Sequence, residues 1–465
     1  MIAKIFSLNK ILLFIFIVLS LISIYFVIHY RTSIYNYEVN LNYQYDFSNS
    51  QATKFDIYVV NNKMFLPNLE NKNVTAFVKI EISGTFLSKI FKPSVDLITT
   101  QDTITNYFEY NLKGIRYINI SELIASGVKE IDLVGNHIKI KDKKVELFVF
   151  DNLNFQDSKV LIIAPHPDDA EIAAYGMYAK NNNSFIITIT AGEAGSYNYD
   201  EVYNDSVTHY LKKGKLRTWN SITVPLLGNV NYQNILNLGF FNGTLKNMYE
   251  NDSAIFKSVY GETSEINTFR KQNISDLSNG LTGVSNWNSL VKNLTYLLDT
   301  IKPNLIIAPY PLIDSHLDHK YSTIALIEAL KKSKKEDGHL LLYTNHHPLS
   351  ESYPYGESES IVTLPPNFNN ELYFTNIYSN SLSTSLQKDK LFALEAMNDL
   401  RLDTEWREPK GAIQIALKTI KRKLLGPNID YYRRAVRANE LFFVIPIKDI
   451  YDKEKLKIIS DKIIK

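Results

Sequence analysis

The pattern of hydrophobic and polar positions divides the chain into three parts. An apolar run comes first, period-2 alternation follows over residues 35–150, and apolar strands then alternate with amphipathic helices. Period-2 alternation is typical of half-buried strands, whereas apolar residues spaced three to four apart indicate helices. We therefore expect an N-terminal helix over 1–31, an all-β domain over 35–150, an α/β domain over 156–450 and a C-terminal tail over 451–465.

The N-terminal run predicts a helix that crosses a membrane. Residues 11–28 are apolar apart from two serines, and about 20 such residues cross a hydrocarbon core of ~30 Å. The run is also longer than the apolar part of a cleavable signal peptide. Lys4 and Lys10 precede it, which favours an N-terminus inside and the bulk of the chain outside. We expect an uncleaved single-pass anchor, with a removed signal peptide as the alternative.

Period-2 runs predict several antiparallel strands between residues 35 and 150. Turn residues such as Asn, Gly and Lys separate these runs, and the main interruption is a helix-like patch near 120–125. Several short alternating strands in a row are typical of a β-sandwich. The alternating positions are Tyr35, Tyr37, Val39, Leu41, Tyr43, Tyr45 and Phe47; Phe55, Ile57 and Val59; Val78, Ile80 and Ile82; Ile131 and Leu133; Ile138 and Ile140; and Val145, Leu147 and Val149.

Strand and helix patterns alternate from Val160 onward, which predicts a mostly parallel sheet with helices on both faces. Residues 229–281 and 350–370 are polar, and we expect them to form long loops. The predicted strands are Val160–Ala164, Phe185–Thr190, Leu305–Ala308, Leu340–Tyr343 and Leu441–Ile447, and the predicted helices are Trp287–Thr300, Tyr321–Lys332, Ser385–Leu400 and Gly411–Leu424.

Charge and cysteine content exclude several classes of function. The chain has 51 Lys and Arg against 49 Asp and Glu, a net charge of +2, and it has no cysteine. Nucleic-acid binding needs a strongly basic surface, so we expect no nucleic-acid partner. The absence of cysteine excludes disulfides, iron–sulfur ligation and thiolate catalysis.

Two polar clusters follow predicted strands. His166-Pro167-Asp168-Asp169 comes directly after the first strand of the α/β pattern, and a His-Leu-Asp-His motif over residues 316–319 follows the strand at 305–308. In open α/β sheets, ligands collect at the carboxyl ends of strands. Imidazole and carboxylate groups together suit a metal such as zinc. One motif alone is better explained as a capped helix start, but two after successive strands favour a metal site.

The two clusters hold enough groups for metal-dependent hydrolysis. Such a site needs about three protein ligands, an open position for water, a base for the water's proton and an acid for the leaving group. We expect the acid to be held, and its pKa raised, by a neighbouring carboxylate. The candidates are His166, Asp169 and His319 as ligands, Asp168 as base, His316 as acid, and Asp318 as the partner of His316.

At these residues the chain resembles the PIG-L/LmbE family of metal-dependent de-N-acetylases. The resemblance rests on Ala-Pro-His-Pro-Asp-Asp-Ala-Glu with the later His-x-Asp-His, and it covers roughly residues 158–447. It continues through Thr190–Gly195, through Leu216-Arg217 and through residues 434–442. The family is Rossmann-like and removes acetyl groups from N-acetylglucosamine-type sugars, usually with zinc.

The resemblance implies a role for each candidate. Zinc, or another divalent metal, would lie on His166, Asp169 and His319, with Asp168 as general base and His316 as acid or oxyanion stabiliser. Arg217 would contact substrate. Glu193 would orient its loop or touch metal-bound water, and a plain turn residue is the alternative. The chain departs from the family at Asn220, Asn242 and Asp314, and the predicted β domain lies outside the family pattern.

These observations predict a membrane-anchored, zinc-dependent de-N-acetylase facing the periplasm or the cell exterior. Its substrate would be an N-acetylated sugar within a glycan or glycolipid, and its partners would be that substrate and the membrane. Two alternatives remain open. The same site could hydrolyse another amide, such as a cysteinyl-sugar or an N-acyl lipid sugar, or the protein could bind glycan without catalysis.

Overall fold

A computed structural model describes residues 2–397, 413, 416–417, 419–420 and 431–460, except 101, 142–143, 156, 197–198, 200–201 and 370. Most of the predicted helix Gly411–Leu424 and the last residues of the predicted helix Ser385–Leu400 lie outside the described residues.

The N-terminal run forms a single helix, α1 (Ile2–Ser33). Residues 10–33 of this helix are long and apolar enough to cross a membrane. The large apolar side chains from Ile11 to Val27 are mostly exposed, so no core formed by the described residues covers them. Length and composition therefore fit an anchor or a signal sequence.

The predicted all-β domain is confirmed. Its strands pair antiparallel in the continuous order β5-β4-β7-β2-β1-β9-β3-β6, and β8 pairs with β3. β1 pairs with β9 through residues 53–58 and with β2 through residues 59–60, so the sheet divides there into two halves. Inward-facing side chains of both halves form one apolar core, as in a sandwich. The strands are β1 (Thr53–Val60), β2 (Lys63–Phe65), β3 (Val74–Gly84), β4 (Ser94–Ile98), β5 (Thr103–Tyr107), β6 (Lys113–Asn119), β7 (Glu130–Asn136), β8 (Ile138–Ile140) and β9 (Lys144–Asp151), and the helix-like patch is α2 (Ser121–Ser126).

The predicted strand over residues 35–47 is wrong. The segment is irregular, although its aromatic side chains at Tyr43, Tyr45 and Phe47 are buried in alternation. Its backbone does not form a ladder of hydrogen bonds with a single strand. The amide of Tyr43 donates to a carbonyl of β6, whereas the amide of Gln44 donates to the carbonyl of Asn367 in the other domain. An alternating pattern records burial, and here burial comes without a ladder of hydrogen bonds.

The mostly parallel sheet is also confirmed. Its order is β12-β11-β10-β13-β14-β16-β15. The first five strands are parallel to one another, and β16 pairs antiparallel with both β14 and β15. The strands are β10 (Val160–Ala164), β11 (Ser184–Thr190), β12 (Ile235–Phe240), β13 (Leu305–Pro309), β14 (His339–Tyr343), β15 (Asn376–Ser381) and β16 (Asn439–Pro446). The helices are α3 (Asp169–Ala179), α4 (Ser206–Thr223), α5 (Leu245–Glu250), α6 (Asn267–Arg270), α7 (Trp287–Ile301), α8 (Leu317–Lys332), α9 (Thr384–Glu395), α10 (Tyr431–Arg434) and α11 (Lys453–Ser460).

Helices cover both faces of this sheet. Leu161 and Ile163 of β10 enter a core shared with α7 and α8, whereas Val160 and Ile162 enter a second core shared with α3. A strand buried on both faces has a continuous apolar sequence, which explains the unbroken apolar runs of the central strands.

Two further expectations need correction. Residues 229–281 are not one long loop, because they contain β12, α5 and α6. Asn237 makes β12 look polar, but its side chain is buried and donates to the carbonyl of Thr190 and the hydroxyl of Ser221. The expected C-terminal tail contains α11, whose Leu456 and Ile459 lie in the core of the α/β domain.

A buried ion pair holds the irregular segment against the β domain. Arg116 donates through Nε to Glu109 at 3.0 Å, and both side chains are 0% exposed. The other oxygen of Glu109 accepts hydrogen bonds from the hydroxyls of Tyr37 (2.7 Å) and Tyr43 (2.6 Å). The Tyr37 hydroxyl also lies 2.8 Å from that of Tyr355, so the network reaches the α/β domain.

Replacing Arg116 with methionine should lower the free energy of unfolding by roughly 3–5 kcal/mol, because Glu109 stays buried without its partner. Urea denaturation of the purified protein measures this loss. The double variant Glu109→Gln/Arg116→Met removes both charges and keeps an acceptor for the tyrosines, so we expect it to recover part of the stability. A double variant no more stable than the single one would contradict this account.

Candidate metal centre

Both polar clusters lie at the carboxyl ends of adjacent strands. β10 and β13 pair directly in parallel, with Ile162 opposite Ile307. The chain leaves β10 toward β11 on one side, whereas β13 is followed by β14 on the other side. Connections that diverge in this way leave a crevice at the carboxyl edge of the sheet. The motifs that follow β10 and β13 therefore face each other across this crevice.

Three buried donor atoms from the two clusters form a small triangle. His166 Nδ1 lies 3.3 Å from Asp169 Oδ2, Asp169 Oδ2 lies 3.1 Å from His319 Nε2, and the two ring nitrogens lie 3.3 Å apart. Ligand atoms about 2.0–2.1 Å from a tetrahedral zinc ion are separated by roughly 3.3 Å. The donor set and its spacing therefore fit zinc.

Each corner of this triangle has a polar partner on its far side. Asp318 Oδ2 lies 3.1 Å from Nε2 of His166, Asp314 Oδ2 lies 3.0 Å from Nδ1 of His319, and Asn345 donates to Oδ1 of Asp169 at 2.7 Å. Such partners fix the tautomer and orientation of metal-binding groups. Asp314 stood out in the sequence only as a departure from the family, and Asn345 carried no signal there.

The carboxylates make the centre attractive to a cation. Burial favours the neutral imidazole, but hydrogen bonds to Asp169 and Asp318 raise the pKa of His166 to about 9. Burial likewise opposes the charged form of His319, and Asp169 and Asp314 nevertheless raise its pKa well above the ordinary value. A divalent ion at the triangle would take over the positive charge that these protons supply.

His316 lies beside the triangle. Its ring centre is 4.6 Å from that of His166, and nitrogens of His166, His316 and His319 all lie within 4.8 Å of one another. A three-histidine ligand set is therefore the alternative to the triangle. Burial, together with the neighbouring His166, lowers the pKa of His316 to about 4.

Asp318 does not hold His316, which corrects the sequence-based expectation. Its carboxylate contacts His166 and accepts from the backbone nitrogens of Gly243 (2.6 Å) and Leu245 (3.3 Å). His316 precedes α8 in extended conformation, whereas Asp318 lies in the first turn of the helix. The two side chains therefore leave the chain in different directions, and the pKa of His316 falls instead of rising.

Asp168 is held in a strained conformation next to the triangle. Its φ is +136°, a region that non-glycine residues adopt at a cost of about 1–3 kcal/mol and mostly at functional sites. Its side chain makes no hydrogen bond that caps α3, so the helix-cap alternative does not describe it. Arg217 donates to Asp168 Oδ2 at 2.9 Å and to the carbonyl of Pro167 at 2.8 Å.

Arg217 therefore contacts the candidate base, where the sequence resemblance implied a contact with substrate. Its other terminal nitrogen donates to the carbonyl of Gly192 at 3.0 Å, and the side chain is largely buried. Gly192 has φ +63°, and a Cβ there would lie 2.7 Å from the ring of Pro167. A side chain at position 192 would also lie 2.8 Å from the Arg217 guanidinium, and it would therefore disturb the hydrogen bond between Arg217 and the loop after β11.

Glu193 connects the loop after β11 to two other segments of the chain. It is fully buried, and its two oxygens accept hydrogen bonds from the hydroxyl of Ser258 (2.9 Å) and the backbone nitrogen of Asn242 (3.1 Å). Burial raises its pKa to about 7. Of the roles that the sequence left open for Glu193, this geometry fits the loop-orienting one.

Comparisons with known proteins agree with the predicted resemblance. Residues 161–330 match the model of the family described as PIG-L, GlcNAc-PI de-N-acetylase. This span contains every candidate site residue named from the sequence. Residues 161–330 form a PIG-L family domain.

Several solved structures are similar to this chain at low sequence identity. The A40926 pseudoaglycone deacetylase is 15% identical, with a TM-score of 0.32 over 63% of this chain and 99% of its own. The zinc-inhibited form of teicoplanin deacetylase is also 15% identical, with a TM-score of 0.32 over 62% of this chain and 97% of its own. A conserved protein from Thermus thermophilus is 17% identical, with a TM-score of 0.28 over 62% and 94%. No curated protein sequence matches the chain.

The variant Asp314→Asn should weaken metal binding by roughly 10- to 100-fold, because an amide holds the His319 ring less firmly and makes it less basic. Competition with a chromogenic chelator measures the affinity for zinc. Asp299→Asn is the matched control, since Asp299 is an exposed carboxylate of α7 that contacts only a serine among its described partners. Equal zinc affinity in the two variants would show that Asp314 does not contribute to metal binding.

Proposed function

We propose that this protein is a membrane-anchored, zinc-dependent de-N-acetylase that hydrolyses the acetamide of an N-acetylated sugar and releases acetate. The family match supports the reaction class. The observation that carries the proposal is the donor triangle of His166, Asp169 and His319 with the restrained carboxylate of Asp168 beside it.

Zinc would be held by His166, Asp169 and His319. When bound, it supplies an acidified water molecule and a polarised acyl carbonyl. Asp168 accepts the proton of the attacking water, and Arg217 keeps its carboxylate in position through the 2.9 Å contact. A base held on a rigid frame loses little freedom at the reacting centre, which lowers the barrier.

His316 delivers a proton to the leaving amine in this proposal. Because the pKa of His316 is lowered to about 4, the imidazole is neutral at pH 7, so the proton that it delivers is the one that Asp168 takes from the attacking water. Within the part of the chain that the structure describes, its buried Nδ1 has no hydrogen-bond partner. A buried nitrogen without a protein partner costs free energy unless a ligand supplies one. The amide nitrogen of a substrate would be such a partner.

The identity of the acyl group and of the sugar also belongs to this proposal. Acetate release from N-acetylated sugars would separate it from the alternatives of a cysteinyl-sugar or N-acyl lipid sugar amide, which release other acids. Placement of the site in the periplasm or outside the cell rests on α1 and its flanking lysines. A reporter fused to the C-terminus would be active on the outer side only if this placement is right.

Asp168→Asn should lower kcat by about 10²–10⁴-fold while the zinc content stays at one per chain, because only the base is removed. Acetate release and metal analysis on the same sample measure both quantities. Asp205→Asn is the matched control, since Asp205 is another aspartate preceding a helix and asparagine caps a helix equally well. Full activity in Asp168→Asn would show that Asp168 is not the base. Loss of zinc would indicate that Asp168 binds the metal.

A further inference from the structure

The β domain presents a compact apolar patch to solvent. Phe86, Leu87 and Phe91 are 68%, 45% and 52% exposed, and they lie within six consecutive residues. We call residues 86–91 the apolar loop. Single exposed apolar residues are ordinary, but a cluster of large ones marks a contact surface. Lys89 lies within the loop, with its ammonium 5.8 Å from the centre of the Phe86 ring.

The apolar loop is built to display these side chains. Its backbone turns through a short 3-10 helix, Phe86–Lys89, and the buried hydroxyl of Ser88 donates to the carbonyl of Thr85 at 2.7 Å. Asn111 donates to the carbonyl of Ser88 at 3.1 Å, and Thr85 donates to that of His137 at 2.8 Å. These hydrogen bonds hold the backbone against the domain and leave Phe86 and Leu87 exposed. The ring of Phe91, also exposed, stacks on that of His137 with the ring centres 5.2 Å apart.

The apolar loop lies where α1 leaves its apolar run. The backbone of residues 86–89 lies within 8 Å of the backbone of α1, measured between Cα atoms. Arg31, near the end of α1, lies 4.8 Å from the centre of the Tyr110 ring, and the next residue, Asn111, is the one that bonds to Ser88. A bilayer crossed by α1 would therefore end close to the loop.

We infer that the apolar loop inserts into the interfacial layer of the bilayer that α1 crosses. Aromatic side chains and leucine favour this depth, and a lysine among them favours anionic lipid headgroups. The inference rests on the proposed anchoring, and it adds a second point of membrane contact. A single helix can tilt in the bilayer together with the domains attached to it, whereas a second contact fixes which face of the domains lies toward the membrane.

Fixing that face would also fix the metal centre. Asn36, just after α1, donates to the carbonyl of Leu349 at 2.9 Å, and Ser350 donates to the carbonyl of Ile34 at 3.4 Å. The same stretch after β14 carries Asn345, which holds Asp169. The residues just after α1 and the metal centre are therefore connected through the stretch that follows β14. An apolar loop inserted in the bilayer would thus also set the distance of the metal centre from the membrane.

The experiment uses the absence of cysteine in the chain. A single cysteine placed by Leu87→Cys in the full-length protein carries an environment-sensitive fluorophore, in vesicles that contain phosphatidylglycerol and brominated lipid. Phe65→Cys is the matched control, because Phe65 is 47% exposed and pairs with Glu130 at the far end of β7, roughly 20 Å from the apolar loop. Ile17→Cys reports on α1 itself.

We expect brominated lipid to quench the label at position 87 severalfold more than the label at position 65. Quenching at 87 no stronger than at 65 overturns the inference. Strong quenching at position 17 in that case leaves the anchor intact, whereas its absence shows that the proposed anchoring has failed as well. The two proposals therefore fail separately.

Discussion

Direct parallel pairing of β10 with β13 places the two halves of the candidate site together. Residues 160–162 lie opposite residues 305–307, so the first residues after each strand emerge at the same edge. His166 and Asp169 come from one strand end and His319 from the other, and their donor atoms meet within 3.3 Å. A shift of one strand by a residue would move its motif by about 3.3 Å, more than a zinc site tolerates. Alternate side chains of both strands pack into two different cores, and close packing in each core fixes which side chain enters it.

The sequence predicts this convergence because each motif follows an unbroken apolar strand. The polar partners of the ligands could not be predicted in this way, because they depend on how segments distant in the sequence pack together. Asp318 bonds to His166 because the amides of Gly243 and Leu245 hold its carboxylate, and those amides lie in a segment whose sequence looked like a loop. Asn345 comes from the stretch after a third strand. Spacing within one motif carries no information about such contacts.

The same distinction explains the errors in the fold. The pattern over residues 35–47 correctly indicates buried aromatics, but the backbone of this segment divides its hydrogen bonds between two domains. Phe47 lies 4.3 Å from Phe148 of the β domain and 6.0 Å from Phe374 of the α/β domain, measured between ring centres. The aromatic alternation thus describes an interface between domains. β12 was missed because Asn237 makes its sequence look polar. The amide of Asn237 is nevertheless buried, and its hydrogen bonds come from tertiary contacts that the sequence does not reveal.

We propose that two imidazoles and one carboxylate hold the zinc ion, which leaves His316 for the substrate. X-ray absorption spectroscopy of the zinc-loaded protein counts the imidazoles around the metal directly. We expect two imidazole nitrogens and one carboxylate oxygen at about 2.0–2.1 Å from the zinc ion, with a further light atom from solvent. Scattering from three imidazoles would contradict this proposal, because His316 would then bind the metal and could not serve the leaving amine.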